Sequence, residues 1–286
     1  MGPVSLNILD NIAGSEGTVD SLQFYQPDVV QTSQVVLVIE YNGSRYAGFQ
    51  LQKNQPTIQD ELEKAVLKLT GRFSRVHSSS RTDSGVHAYG QVISFKTDAC
   101  LQTRDFIGGM NHYLPLDVSI REAYRMQEGF DVRRNAISRR YRYHLINRNS
   151  RSPLRDDYSV LVKGNLDVEA MNIACGYLIG SHDFASFASP IRPLGSTTRR
   201  VIHAGVTRVG NDEIIIDIEA NAFLPHQVRN TVGPLIKIGR AQMTPEALKD
   251  IINSRTVGLA QPTAPAKGLT LYKVNYTKEL KEESQG

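Results

Sequence analysis

The hydrophobic positions of the chain alternate between strand-like runs and helices with one apolar face. Val35 to Ile39 is an unbroken apolar run typical of a buried strand, and a second strand is predicted through Val92 to Phe95. Between them, Thr57 is a good N-cap and Gly71 a good stop for a helix whose apolar face is Ile58, Leu62, Ala65, Val66 and Leu69. The pattern therefore predicts that strands and helices are mixed from residue 35 onward.

The rest of the chain continues this mixture. Helices are predicted at 103–113, with Thr103 as its cap, at 167–179, at 226–240 and from Thr244-Pro245 onward. Strands are predicted at 118–125, 138–146 and 269–276, and a hairpin joins 200–209 to 213–220. Because the strands and helices mix with hairpins instead of alternating strictly, the pattern predicts an α+β fold with mixed, largely antiparallel sheets. Pro234 should remove a hydrogen bond from the 226–240 helix and bend it.

Four segments are predicted along the chain. They are a leader at 1–33, an N-terminal α/β subdomain with the candidate catalytic loop at 34–130, a C-terminal α/β subdomain at 131–277 and a charged tail at 278–286. The leader has four acids and no basic residue, whereas a transit peptide is rich in arginine and poor in acids. We therefore expect a cytoplasmic protein, or one of an organelle matrix if a presequence is removed upstream.

Composition narrows the functional classes. The chain has no run of 18 apolar residues, so no membrane span is expected, and its two cysteines suit a reducing compartment. The sequence lacks the spacings of common metal sites and of phosphate-binding glycine loops, so neither a metal nor a cofactor is expected.

Charge is concentrated in one segment of the chain. Residues 121–155 contain ten arginines and three acids, a balance of +7, although the whole chain carries only +4. Because these arginines are interleaved with tyrosines, the pattern favours a nucleic acid partner over a solvated face.

Three polar segments are candidates for chemistry. In the first, Asp83 lies two residues from Arg81 in a loop between predicted strands, where a guanidinium can keep a carboxylate ionised; a plain Asp-Gly turn is the alternative. In the second, alternation places Arg139, Tyr141 and Tyr143 on one strand face and Arg140 and Arg142 on the other. These residues can stack on a base and hold phosphates, or the tyrosines can be core aromatics. In the third, His226 and Arg229 lie in the first turns of a predicted helix, and a surface arginine is the alternative.

Seven motifs occur in a fixed order between Val35 and Tyr276. They are E-Y-x-G-x-x-Y-x-G at Glu40–Gly48, R-T-D-x-G-V-H at Arg81–His87, G-Q-V at Gly90–Val92, R-R-Y-R-Y at Arg139–Tyr143, D-F at Asp183-Phe184, N-A-F-x-x-H-x-V-R-N at Asn221–Asn230 and A-P-A-x-G-L-x-L at Ala264–Leu271. In this order they closely resemble TruA-type tRNA pseudouridine synthases. One departure is Ser80, since the family's loop more often reads A-G-R-T-D-A-G where this chain has S-S-R-T-D-S-G.

The resemblance implies a pseudouridine synthase fold, with two ferredoxin-like α/β halves around a basic central cleft. It also implies that uridine is isomerised to pseudouridine in the tRNA anticodon stem-loop, at positions 38 to 40, by a homodimer without a cofactor. Asp83 matches the family's catalytic aspartate, and Arg81 and Arg229 match basic residues around it. Tyr141 matches the tyrosine that stacks on the target base. We further expect Arg139, Arg140, Arg142 and His226 to bind the substrate.

Two other functions fit the same residues less well. An RNA-binding protein that has lost turnover would not need Asp83, Arg81, Tyr141 and Arg229 together. A metal-dependent nuclease would need acidic clusters that the sequence lacks. Within the favoured function, we expect Arg229 to bind Asp83 through a bidentate contact from its planar guanidinium.

Overall fold

A computed structural model of the chain describes residues 33–126, 129–189, 195–277 and 280. Within these residues the strands are β1 (Ser33–Tyr41), β2 (His77–Ser78), β3 (His87–Thr97), β4 (Val118–Met126), β5 (Ala136–Ile146), β6 (Val160–Leu161), β7 (Gly180–Asp183), β8 (Thr198–Val209), β9 (Glu213–Ala220) and β10 (Leu269–Tyr276). The helices are α1 (Ile58–Thr70), α2 (Thr103–Tyr113), α3 (Val168–Leu178), α4 (Gln227–Gly239) and α5 (Pro245–Ser254). Every long element predicted from the pattern is present within a few residues.

The strands form one mixed sheet in the order β4-β1-β3-β10-β5-β9-β8-β7. β2 pairs with β3, and β6 with β5. Among the described strands, β10 with β3 and β5 with β6 are parallel pairs and the other pairs are antiparallel. The predicted α+β class with largely antiparallel strands is therefore confirmed.

The last strand joins the two halves of this sheet. β10 lies between β3 and β5, so it connects the early strands to those of the second half of the chain. The predicted division of the body after residue 130 stays a prediction, and the sheet is continuous across it. Apart from Ser33 and Leu280, the predicted leader and tail lie outside the described residues.

The alternation along β9 shows how the sheet buries apolar side chains. In β9, Ile214, Ile216, Ile218 and Ala220 are buried while the residues between them are half-buried, as period-two alternation requires. α3 packs against β8 and against α4 and α5, and α2 packs against β4. None of the described helices is both long and apolar enough to cross a membrane.

The ends of the helices show which local signals hold. The Thr57 side chain accepts a hydrogen bond from the Asp60 amide, and Gly71 ends α1 in the left-handed conformation, as predicted. At α2 the prediction of Thr103 as cap is wrong. Gln102 occupies the N-cap position, and its backbone amide donates to Asp105 Oδ2 at 2.9 Å. Thr103 is therefore already the first helical residue. α4 continues through the buried Pro234.

Candidate active site

The Asp83 loop joins β2 to β3 and is held against the loop that follows β1. The Phe49 amide donates to the Thr82 carbonyl at 3.1 Å, and the hydroxyls of Tyr41 and Thr82 are 2.7 Å apart. The contact is so close that a Cβ at Gly48 would lie 2.8 Å from the Thr82 oxygen, and Gly48 also has φ +107°. Only glycine fits there, because it has no Cβ and adopts this backbone conformation freely.

Asp83 forms a turn and also presents a partly exposed carboxylate. Its backbone carbonyl accepts a hydrogen bond from the Val86 amide at 3.2 Å, with Gly85 in the left-handed conformation, so the alternative of a tight turn is correct for the backbone. The side chain is 35% exposed, and its Oδ2 lies 3.5 Å from Arg229 Nη1 and 3.4 Å from His226 Nε2. One carboxylate oxygen therefore faces two basic side chains at an accessible position.

Arg229 contacts Asp83 with one guanidinium nitrogen and donates to a backbone carbonyl with another. Its Nε donates to the Ala264 carbonyl at 2.8 Å, and the Ala264 amide donates back to the Arg229 carbonyl at 3.1 Å. The prediction that Arg229 binds Asp83 with two nitrogens is therefore wrong, because only Nη1 contacts the carboxylate. α4 can approach the 262–264 segment because residue 233 is glycine, where a Cβ would lie 1.7 Å from the Pro262 oxygen.

His226 precedes α4 in the left-handed conformation, with φ +62°. Its Nδ1 lies 2.6 Å from Ser189 Oγ, while Nε2 faces Asp83. The imidazole thus bridges a hydroxyl and the carboxylate. The sequence predicts a substrate-binding residue here, and the structure places this side chain directly beside the candidate catalytic group, so the binding role stays a prediction.

Tyr141 is buried on β5, close to the same loop. Its hydroxyl lies 2.9 Å from Ser80 Oγ, and its ring meets Phe223 edge-on at 5.2 Å between centroids. Burial raises the pKa of Tyr141 to about 12, the charge of Asp83 acts in the same direction, and the hydrogen bond with Ser80 opposes both. The phenol is therefore a neutral hydrogen-bonding group at physiological pH.

Arg139 lies on the same face of β5 but binds protein carbonyls. Its guanidinium donates to Ala136, Asn221, Ser79 and Arg133 at 2.6 to 3.1 Å, and the residue is only 7% exposed. In this structure its donors hold segments of the chain together, so the contacts do not support its expected binding role, which stays a prediction.

Arg140 and Arg142 lie on the opposite face, as the alternation predicts. Both bind the carboxylate of Asp217, and the Arg142 guanidinium stacks 3.5 Å from the centre of the Tyr272 ring. Burial opposes ionisation of Asp217, but the hydrogen bonds from the two arginines hold its pKa below the ordinary value. The structure does not bring these arginines to Asp83, and their binding role also stays a prediction.

Arg81 is exposed in the Asp83 loop, two residues before Asp83. Among the described residues it forms no hydrogen bond or ion pair, so its charge is available to a partner. Also in the described part of the chain, no group of three His, Cys, Asp or Glu side chains is arranged to hold a metal ion.

His87, at the end of the R-T-D-x-G-V-H motif, is fixed on both sides of its ring. Nδ1 accepts from the Gly43 amide at 3.1 Å, and Nε2 lies 3.1 Å from the Lys267 carbonyl, which assigns the proton to Nε2. Burial lowers the pKa of His87, so the imidazole is neutral.

Two partners in this site were not predicted from the sequence. Ser189 orients His226 from 37 residues away, and no motif marks it. Ala264 begins the A-P-A-x-G-L-x-L motif, which could have drawn attention to that segment, but the role belongs to its carbonyl, a group that every residue has.

Comparison with known proteins shows the family. The tRNA pseudouridine synthase family model matches residues 37–133 and 174–277, which include Asp83 and Arg229. The chain belongs to the tRNA pseudouridine synthase family. The predicted family and the predicted enzyme class, an isomerase, are thereby confirmed.

Similar proteins cover most of the chain. A protein of Geotalea daltonii named tRNA pseudouridine synthase A is 39% identical over 242 residues, which are 85% of this chain and 99% of that protein. One of Vibrio campbellii with the same name is 39% identical over 247 residues, 86% of this chain and 93% of that protein. A chain of a solved Cbf5-Nop10-Gar1 complex matches 71% of this chain and 54% of its own length, at 9% identity and a TM-score of 0.31, too weak a likeness to argue from.

Proposed function

We propose that the protein isomerises uridine to pseudouridine in the anticodon stem-loop of tRNA, at positions 38 to 40, with Asp83 as the nucleophile. The observation that carries the proposal is the Asp83 carboxylate, 35% exposed and flanked by Arg229 and His226. The name of the two relatives, tRNA pseudouridine synthase A, supports tRNA as the substrate.

The reaction needs what this site offers. The bond between the ribose C1′ and N1 of the base breaks, the base rotates, and a bond forms from C1′ to C5, while a proton leaves C5 and another is taken up at nitrogen. No electrons enter or leave, so the isomerisation can start from a carboxylate nucleophile. Attack at the sugar and attack at the ring both begin from the same ionised oxygen of Asp83.

The target uridine must leave the base stack before this chemistry. Flipping costs a few kcal/mol. Tyr141 is the aromatic side chain we assign to the flipped base, with its hydroxyl available to exchange a proton. Its buried position implies that the ring is already held in place before the RNA arrives.

Exposed arginines would position the RNA through its phosphates. Arg81, beside Asp83, is the clearest of these.

The expected homodimer also belongs to this proposal. Size-exclusion chromatography with light scattering measures the molar mass of the protein in solution and so tests it. A cytoplasmic location, or an organelle matrix, also remains part of the proposal.

The test uses unmodified tRNA transcripts with uridine at 38, 39 or 40, incubated with the protein in EDTA. Pseudouridine at one or more of these positions, without strand scission, is the expected result, and a transcript with cytidine at all three is the matched control. Tight binding without any product would instead indicate an RNA-binding protein. Metal-dependent cleavage would indicate a nuclease.

A further inference from the structure

Ser80 and Tyr141 come together from distant parts of the chain. Ser80 lies in the loop before Asp83 and Tyr141 lies in the middle of β5, yet their hydroxyl oxygens are 2.9 Å apart. The contact therefore joins the loop that carries Asp83 to the strand that carries Tyr141.

The backbone on either side of this contact is fixed. The buried side chain of Gln91 donates to the Ser80 carbonyl at 2.7 Å and accepts from Ser79 Oγ at 2.7 Å. Arg139, two residues before Tyr141 on the same face of β5, donates to the Ser79 carbonyl at 3.1 Å. The backbone of these consecutive loop residues is thus held by Gln91 of β3 and Arg139 of β5, on both sides of the Ser80 hydroxyl.

The phenol needs such a partner. Tyr141 is 6% exposed, and a buried hydroxyl without a hydrogen bond costs free energy. The ring is in contact with the edge of Phe223, which restrains its plane but binds no proton. A serine hydroxyl both donates and accepts, so it can remain bonded to the phenol whether the phenol gives a proton or receives one.

We propose that Ser80 is a positioning residue for Tyr141, holding the phenol oxygen at a fixed place and orientation beside the flipped uridine. This role rests on the proposed function, because Tyr141 has to face the base for the position of its oxygen to matter. Ser80 acts through Tyr141 alone and touches no reacting atom.

The experiment is a double-mutant cycle on single-turnover rates of pseudouridine formation. Ser80→Ala removes the hydroxyl and keeps the Cβ, whereas Ser80→Gly introduces the more usual residue of the family. With Tyr141 present, we expect Ser80→Ala to slow the reaction about three- to tenfold, the loss of one hydrogen bond, with tRNA affinity unchanged within about twofold. With Tyr141→Phe, the same substitution should have no further effect on the rate.

Ser84→Ala is the matched control, because this serine of the same loop donates to the Tyr46 carbonyl and not to Tyr141. Any effect it has should be equal in both backgrounds. Equal slowing by Ser80→Ala in both backgrounds would overturn the proposal, and so would an undiminished rate with Tyr141 present. A wild-type protein that makes no pseudouridine would instead contradict the proposed function.

A second measurement does not depend on activity. With 3-fluorotyrosine at position 141, the fluorine chemical shift near neutral pH reports the surroundings of that phenol. Because the phenol oxygen lies 2.9 Å from Ser80 Oγ and Ser84 contacts a different group, Ser80→Ala should move this resonance and Ser84→Ala should not. A resonance that is unchanged in Ser80→Ala would overturn the contact itself, even if Tyr141→Phe is too slow to assay.

Discussion

Arg229 Nη1 lies 3.5 Å from Asp83 Oδ2 while Nε of the same guanidinium donates to the Ala264 carbonyl at 2.8 Å. The planar fork is therefore divided between a fixed backbone oxygen and the candidate nucleophile. A group anchored in this way can direct a charge at the carboxylate without enclosing it, and the other side of the carboxylate stays open to substrate.

Substitution of Arg229 tests this division. Arg229→Lys keeps the charge but cannot bind both oxygens in one plane, so we expect single-turnover rates at least about tenfold lower, with tRNA affinity nearly unchanged. Arg229→Ala should be slower still, and added guanidinium ion should restore part of its rate. A wild-type rate for Arg229→Ala would show that the pairing has no role in the reaction.

Substitution of His226 distinguishes a role in positioning Asp83 from a role in binding the substrate. Asparagine tolerates the left-handed backbone at this position, so His226→Asn should fold normally while it removes the bridge between Ser189 and Asp83. We expect a rate about tenfold lower at saturating enzyme, with the dissociation constant for tRNA within about twofold of wild type. If the affinity falls and the saturated rate does not, His226 binds the substrate instead.

Arg139 and Arg81 should behave differently. Arg139→Met leaves buried carbonyls without their donor, so we expect the free energy of unfolding to fall by at least roughly 1–3 kcal/mol, the cost of one buried acceptor left without a partner, measured by urea denaturation. Arg81→Gln should leave the free energy of unfolding unchanged. It should reduce the magnitude of the negative slope of log tRNA affinity against log salt concentration by about one. If Arg139→Met kept the stability of wild type and lowered the salt slope instead, Arg139 would be a phosphate contact.

Local signals explain how much of this structure the sequence predicts. The bounds of α1 follow from Thr57 and Gly71, which act on their own neighbours, and the two faces of β5 follow from alternation alone. The shared motifs predict Asp83, Arg229 and Tyr141 as parts of one site, although these residues lie far apart in the chain.

What could not be predicted depends on distant backbone. Alternation places Arg139 on the same face as Tyr141, but it does not reveal that four backbone carbonyls accept hydrogen bonds from the Arg139 guanidinium. In the same way, Ser189 meets His226 only because a loop brings them together, and hydroxyl and carbonyl partners of this kind have no sequence signature.

His87 gives a prediction about stability and pH. Burial lowers its pKa in the folded protein, so the unfolded chain takes up the proton more readily, near the ordinary value of 6.5. The stabilisation from neutral His87 is therefore fully present above this pH and is lost progressively as the pH falls below it. In urea denaturation, the excess stability of wild type over His87→Gln should shrink from pH 7.5 to pH 5.5. His112→Gln, on the exposed surface of α2, is the control, and a difference for His87→Gln that is constant with pH would contradict the assignment.

The most direct test of the account is product formation by Asp83→Ala and Asp83→Asn under single-turnover conditions with saturating enzyme. tRNA transcripts with uridine at positions 38 to 40 serve as substrate, pseudouridine is quantified by mass spectrometry, and the intact mass of the Asn variant excludes reversion to aspartate. We predict no detectable product from either variant, with tRNA affinity within about twofold of wild type, because the carboxylate oxygen starts the reaction and does not hold the RNA. Appreciable pseudouridine from Asp83→Ala would contradict the assignment of Asp83 as the nucleophile.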